Sequence, residues 1–156
     1  CFNCGDIKFK TVLYELGKSE LMVTPEINSK DSLNDLYQTL IDNGTKHENI
    51  IVHRIPGTYE LPLASQLLLE NTSVDGVVAI GSVIQGETKH FDFVCEATSQ
   101  GIKDVSLKYN KPVIFCVLTD NTLQQAIDRS GGKHGNKGVE CAVAAIQMVA
   151  MKNELS

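Results

Sequence analysis

The run Gly76-Val77-Val78-Ala79-Ile80-Gly81-Ser82-Val83-Ile84, followed at once by Gln85-Gly86-Glu87-Thr88-Lys89-His90-Phe91-Asp92-Phe93, decides how this chain is read. Its first part is apolar at nearly every position, as a strand covered on both faces would be. Its second part turns polar and carries a histidine just where a helical pattern begins. A buried strand, a polar loop and then a helix form the repeating unit of a parallel α/β sheet.

The same rhythm extends in both directions. Leu33, Leu36, Leu40 and Ile41 recur at helical spacing after a capping region at Asp31-Ser32 and stop at Asn43-Gly44. Ile50 to Ile55 is a β-branched strand ended by Pro56-Gly57, and Leu61 to Glu70 reads as a helix. A helix from about Phe91 to Tyr109 closes at Asn110 ahead of Pro112, and Val113 to Leu118 is a second buried strand. Asn121 to Arg129 and Gly138 to Lys152 read as helices flanking a glycine-rich break at Ser130 to Gly135. Phe9 to Leu16 and Leu21 to Thr24 lean towards strand.

With 156 residues and 42% hydrophobic content, the expectation is one domain over 1–156 with a true core. The net charge of −5 comes with no basic cluster, which argues against nucleic-acid or anionic-membrane partners and for a small-molecule partner. No apolar run is long enough to span a bilayer, and the first residues lack signal architecture, so a cytoplasmic location is expected. The missing initiator methionine points to residues ahead of Cys1. Five cysteines form no disulfide framework; Cys95, Cys116 and Cys141 read as small core hydrophobes. Cys1-x-x-Cys4, alone, is a weak metal signal.

In an open parallel sheet, ligands gather beyond the carboxyl ends of the strands, which directs attention to Pro56 to Leu61, Gly81 to Phe91 and Leu118 to Asn121. Amides around Gly86, Glu87 and Thr88 at a helix start could hold an anion, or Thr88 could simply cap the helix. His90 fits a proton carrier or a packed first-turn histidine. Glu60 fits a hydrogen-bond acceptor for a polyol or an acid favoured by the helix dipole. Arg129 and Lys137, across the glycine-rich break, fit a phosphate clamp or two solvated helix-end cations.

The order of these segments resembles the 6,7-dimethyl-8-ribityllumazine synthase family. Pro56-Gly57-Thr58-Tyr59-Glu60-Leu61-Pro62, Gly81 to Val94, Pro112 to Thr119, Gln125-Ala126-Ile127-Asp128-Arg129 and Gly135-Asn136-Lys137-Gly138 follow one another with that family's spacing, over roughly residues 31 to 152. The resemblance implies a three-layer α/β/α sandwich around a four-stranded parallel, flavodoxin-like sheet. It implies condensation of 5-amino-6-(D-ribitylamino)uracil with 3,4-dihydroxy-2-butanone 4-phosphate, the penultimate step of riboflavin biosynthesis, without metal or organic cofactor. By the same resemblance His90 moves protons, as an imidazole can near neutral pH. Arg129 grips the phosphate, helped by amides around Glu87 and Thr88. Phe115 is lent by a neighbouring subunit to the pyrimidine, Glu60 binds the ribityl chain, and Val83 and Ile84 offer backbone contacts. Thr58 and Tyr59 line the pocket, Lys137 lies in the cationic segment, and Glu140 orients Arg129 or His90.

Sites between subunits of a homopentamer are also implied. The turn Gly131-Gly132-Lys133-His134-Gly135 resembles that of members building sixty-subunit shells, which in some cases enclose riboflavin synthase. Three departures stand out. Val23-Thr24-Pro25-Glu26 has no aromatic where the family stacks one on the pyrimidine; Gln85 stands where Arg is frequent; Cys116 stands where Gly is frequent. Residues 1–30 match poorly. The lost aromatic keeps two further readings open, an inactive shell or flavin-binding protein and a relative with another reaction on ribityl-pyrimidines, such as that of the archaeal riboflavin synthases.

Overall fold

A computed structural model of the chain describes residues 9–14 and 29–156. The expected strand at 21–24, the aromatic-free stretch 23–26 and the Cys1/Cys4 pair lie outside the described residues. Strands β1 (Phe9–Tyr14), β2 (Ile50–Ile55), β3 (Gly76–Ile84) and β4 (Val113–Asp120) form one sheet in the order β2-β1-β3-β4, with every neighbouring pair parallel. Helices α1 (Ser29–Asp42), α2 (Leu61–Asn71), α3 (His90–Tyr109), α4 (Leu123–Arg129) and α5 (Lys137–Glu154) complete the α/β architecture.

The alternation within β3 explains its unbroken apolar run. Val78 and Ile80 point to one side, where Leu36 and Leu40 of α1 and Ala142, Ala145 and Val149 of α5 close over them. Val77 and Ala79 point to the other, against Leu61 and Leu69 of α2 and Ile102 and Val105 of α3. Both faces are dry, so each position of the strand demands an apolar residue.

α1 and α5 meet at Gly138, where a Cβ would stand 2.0 Å from the Ser32 backbone oxygen. Only a residue without a side chain permits that approach. α1 begins at Ser29, ahead of the expected cap at Asp31-Ser32. The glycine-rich break is a small antiparallel hairpin, β5 (Ser130–Gly132) and β6 (Gly135–Asn136). Asn136 then caps α5, its Oδ1 accepting from the Gly138 N–H at 2.8 Å, while its Nδ2 donates to Asp35 of α1 at 2.6 Å.

α4 starts after Thr122 rather than at Asn121. The Thr122 hydroxyl accepts from the Gln125 N–H, and the Gln125 side chain accepts from the Thr122 N–H, a reciprocal capping box. Among the described residues, no helix is long and apolar enough to cross a membrane.

Candidate active site

The segment after β2 supplies the first group of side chains. A 3-10 turn, Thr58–Glu60, leads into α2, with proline in that helix's first turn. Thr58 is buried, and its carbonyl accepts a hydrogen bond from the Thr98 hydroxyl of α3 at 3.2 Å. The turn rests on β3 at Gly81, where a Cβ would lie 2.8 Å from Thr58 Oγ1 and 3.0 Å from its Cγ2. Absence of a side chain at Gly81 therefore lets Thr58, Tyr59 and Glu60 sit against the carboxyl end of the sheet.

The segment after β3 supplies the histidine. Gln85 donates its N–H to the Asp120 carbonyl of β4 at 2.8 Å, after which the chain runs exposed through Gly86, Glu87 and Thr88. α3 opens at His90, with Lys89 at the capping position and no side-chain cap. Thr88 Oγ1 accepts from the His90 N–H over a long 3.4 Å, so Thr88 supports the turn from one residue before the cap position it was expected to fill.

These two segments enclose a cavity of about 480 Å³ lined by Gly57, Thr58, Tyr59, Glu60, Ser82, Val83, His90 and Val94. That is the size range of small-molecule sites. Of the residues singled out in the sequence, Thr58, Tyr59, Glu60, Val83 and His90 line this cavity. Val94 was missed, although it follows His90 by four residues and so shares its helix face. Gly57 and Ser82 were missed as well. Ile84, Glu87 and Thr88 adjoin the cavity's segments without lining it.

Phe115, Arg129 and Lys137 do not line this cavity either. Phe115 projects from β4 against the cluster beneath α2 and α3. Arg129, at the end of α4, holds Glu140 of α5 in a fork, Nη1 to Oε1 at 3.0 Å and Nη2 to Oε2 at 2.9 Å. Lys137 Nζ lies 3.7 Å from the same Oε2. Of the two partners considered for Glu140, the geometry gives it Arg129.

The electrostatics of this cluster follow from those contacts. Hydrogen bonding from Arg129 holds the Glu140 carboxyl below its ordinary range, and Glu140 in turn raises Arg129. Asp120, at the end of β4, is pushed up by burial and pulled back by the charge of Arg129. Two cations share one carboxylate across the hairpin, an arrangement able to receive a phosphate in a bidentate grip. Among the described residues, no group of three or more His, Cys, Asp or Glu is placed to hold a metal ion.

Comparison with known proteins agrees with the motifs that build both clusters. The family model for 6,7-dimethyl-8-ribityllumazine synthase matches residues 26–153. A protein of that name from Flavobacterium johnsoniae is 46% identical over 154 residues, covering 99% of this chain and 77% of its own length. One from Phocaeicola vulgatus is 46% identical over 156 residues, covering 98% of this chain and 93% of its own. One from Cytophaga hutchinsonii is 54% identical over 113 residues, covering 72% of this chain and 71% of its own. The chain, with its His90 cavity and its Arg129 cluster each built from matched segments, belongs to the 6,7-dimethyl-8-ribityllumazine synthase family.

Proposed function

We propose that this chain condenses 5-amino-6-(D-ribitylamino)uracil with 3,4-dihydroxy-2-butanone 4-phosphate to 6,7-dimethyl-8-ribityllumazine, releasing phosphate and water, the penultimate step of riboflavin biosynthesis. The observation that carries this reading is the convergence of Glu60, from one family motif, with Val83 and His90, from the next, on one cavity of small-molecule size.

The chemistry divides among the residues as follows. The uracil's 5-amino group attacks the butanone carbonyl, water leaves as the imine forms, phosphate is eliminated, and the ribitylamino nitrogen closes the ring with loss of a second water. His90, exposed at the first turn of α3, takes and returns protons during these steps. Glu60 accepts hydrogen bonds from ribityl hydroxyls, Thr58 and Tyr59 wall the pocket, and the backbone at Val83 and Ile84 aligns the pyrimidine. Arg129 and Lys137 neutralise the phosphate as its bond to carbon breaks, with the amides near Glu87 and Thr88 assisting. The bonds made and broken amount to no net oxidation, so the steps run on proton transfer and charge stabilisation.

His90 and Arg129 serve different cavities in this reading. Phe115, Arg129 and Lys137 of one subunit complete the His90 cavity of its neighbour in a ring of five. Heterologous interfaces of this kind close into rings. Exposed apolar side chains such as Leu63 and Leu67, one turn apart on α2, suit burial in such an assembly. The chain is one cytoplasmic domain in which α1 and α5 on one face and α2 and α3 on the other complete a flavodoxin-like three-layer sandwich. The compact β5–β6 hairpin favours pentamers joined into a sixty-subunit shell, with room for riboflavin synthase.

Supplying both substrates tests the function. The expected result is the lumazine chromophore with one phosphate released per product. Lumazine binding without turnover would return the chain to the inactive-shell reading. Sedimentation showing pentamers alone would remove the shell and leave the enzyme.

A further inference from the structure

Cys116 of β4 and Cys141 of α5 belong to neither cluster's chemistry, yet their placement is reciprocal. The Cys116 thiol donates to the carbonyl of Lys137, one helical turn before Cys141, at 3.7 Å. The Cys141 thiol donates to the carbonyl of Phe115, the residue before Cys116, also at 3.7 Å. Each sulfur therefore reaches into the backbone beside the other cysteine, and both sit in the apolar cluster under α1 and α5, 2% and 3% exposed. Such long S–H···O contacts are weak, so a pair of small apolar residues would satisfy the packing as well.

We propose that Cys116 and Cys141 form a modification site, a buried dithiol that a hydroperoxide converts reversibly to a disulfide joining β4 to the N-terminal part of α5. Cys141, near the N-terminal end of α5 and one turn after Lys137, is the attacking sulfur, since a helix N-terminus and a neighbouring lysine both favour a thiolate. In keeping with that place, its thiol is pulled down by hydrogen bonding with Cys116 and by the Lys137 charge, against the opposing effect of burial. Cys116 is pushed up by that same contact and by burial. Cys141 thiolate attacks the peroxide oxygen, the O–O bond breaks, and the departing hydroxide takes up a proton to leave as water. The Cys116 sulfur then attacks the Cys141 sulfenic acid and its proton leaves with the second water. Overall two thiols and hydrogen peroxide give one disulfide and two waters, sulfur being oxidised and peroxide oxygen reduced.

The link gives up the two S–H···O contacts to the Lys137 and Phe115 carbonyls and ties β4 covalently to α5 at that place. Phe115 precedes Cys116 directly, and Glu140 precedes Cys141, with Lys137 a turn earlier. On the reading proposed above, oxidation thus acts on the backbone that carries the phosphate cluster, where a misplacement of about 1 Å can lower turnover by about 10²-fold.

The experiment treats the native assembled protein with hydrogen peroxide and follows intact mass, cross-linked peptides and kcat/KM. Expected are a loss of two hydrogens per chain, a peptide pair linking Cys116 to Cys141, and reversal by a thiol reductant. Cys116→Ala and Cys141→Ala should each abolish the link, and Cys95→Ser should not. Oxygen added to Cys141 without the link, or no reaction in the native protein under conditions that oxidise the unfolded chain, would overturn the proposal. These readouts need no turnover, so they stand apart from the function itself. A tenfold or greater fall in kcat/KM with linkage, absent in Cys141→Ala, supports the coupling to the phosphate cluster; unchanged kcat/KM in the fully linked protein overturns that coupling.

Discussion

Replacing Arg129 by alanine separates phosphate binding from everything else the residue does. In the structure its guanidinium gives both terminal nitrogens to Glu140, at 3.0 and 2.9 Å, and Nη1 also donates to the His134 carbonyl at 2.5 Å, with the Arg129 and Glu140 side chains 31% and 49% exposed. An ion pair that open to solvent contributes at most about 1 kcal/mol to stability and the bond to the His134 carbonyl about another 1 kcal/mol, together some 4–8 °C in Tm for a chain of this size. A charge-assisted hydrogen bond to a bound phosphate is worth more than either, about 1.5–3 kcal/mol. Loss of the phosphate contact should thus dominate, raising KM for the butanone phosphate about 10- to 150-fold. KM for the ribitylamino-uracil should stay within about twofold, since Arg129 holds only the other substrate. Arg129→Lys should recover part of the loss, keeping the charge without the planar fork. Steady-state rates of lumazine formation, varying one substrate at a time, measure all of this. If the alanine variant loses several degrees of Tm while its KM for the phosphate substrate stays at the parent value, Arg129 is a strut for Glu140 and the hairpin and the phosphate assignment is wrong.

The remaining expectations are narrower. His90→Ala should lower kcat by about 10²-fold or more with both KM values little changed, and parent kcat between pH 6 and 8 would leave His90 as a packing residue. Gly138→Ala forces a Cβ to within 2.0 Å of the Ser32 oxygen. Because the obstacle is backbone, a cost at the upper end of the usual 1–3 kcal/mol for overpacking is expected, a fall of about 5–12 °C in Tm, and an unchanged Tm would contradict the close approach of α1 and α5. Glu140, held below its ordinary pKa by Arg129, adds stability that is complete above the unfolded carboxylate pKa and is lost as pH falls through the depressed folded value. The Tm difference between the parent and Glu140→Gln should therefore be present at neutral pH and vanish in acid, and a difference that widens on acidification would reverse the sign of this argument.

The parts of the fold that could be read from the sequence are those whose burial is two-sided. Val77 to Ile80 face α1 and α5 or α2 and α3 alternately, so every position is apolar and the strand stands out without tertiary information. The β5–β6 hairpin did not stand out, because strands of three and two residues have no periodicity and their glycines read equally well as a break. α4 starts after Thr122 rather than at the expected Asn121, and the capping-box spacing of Thr122 and Gln125 is the local signal that marks it. For the site, His90, Glu60 and Arg129 taken singly each had a common structural explanation. Their shared order along the chain tipped the reading, and Gly81, whose missing side chain seats Thr58 on β3, is invisible without the fold. That Arg129 does not line the His90 cavity, on which the proposal of two different cavities rests, could not be read from spacing at all, since it depends on where β3 and α4 end in three dimensions.

That separation is the central claim, and mixing two damaged subunits tests it most directly. His90→Ala and Arg129→Ala are each assayed at limiting butanone phosphate, where both are weak, then unfolded, mixed in equal amounts and refolded together. If each cavity takes His90 from one chain and Arg129 from the next, random assembly leaves about a quarter of the cavities with both residues intact, and activity should rise to about a quarter of the parent's. Activity no greater than the average of the two variants, in assemblies shown to contain both chains, would mean that one chain supplies both residues to its own cavity and would contradict the account.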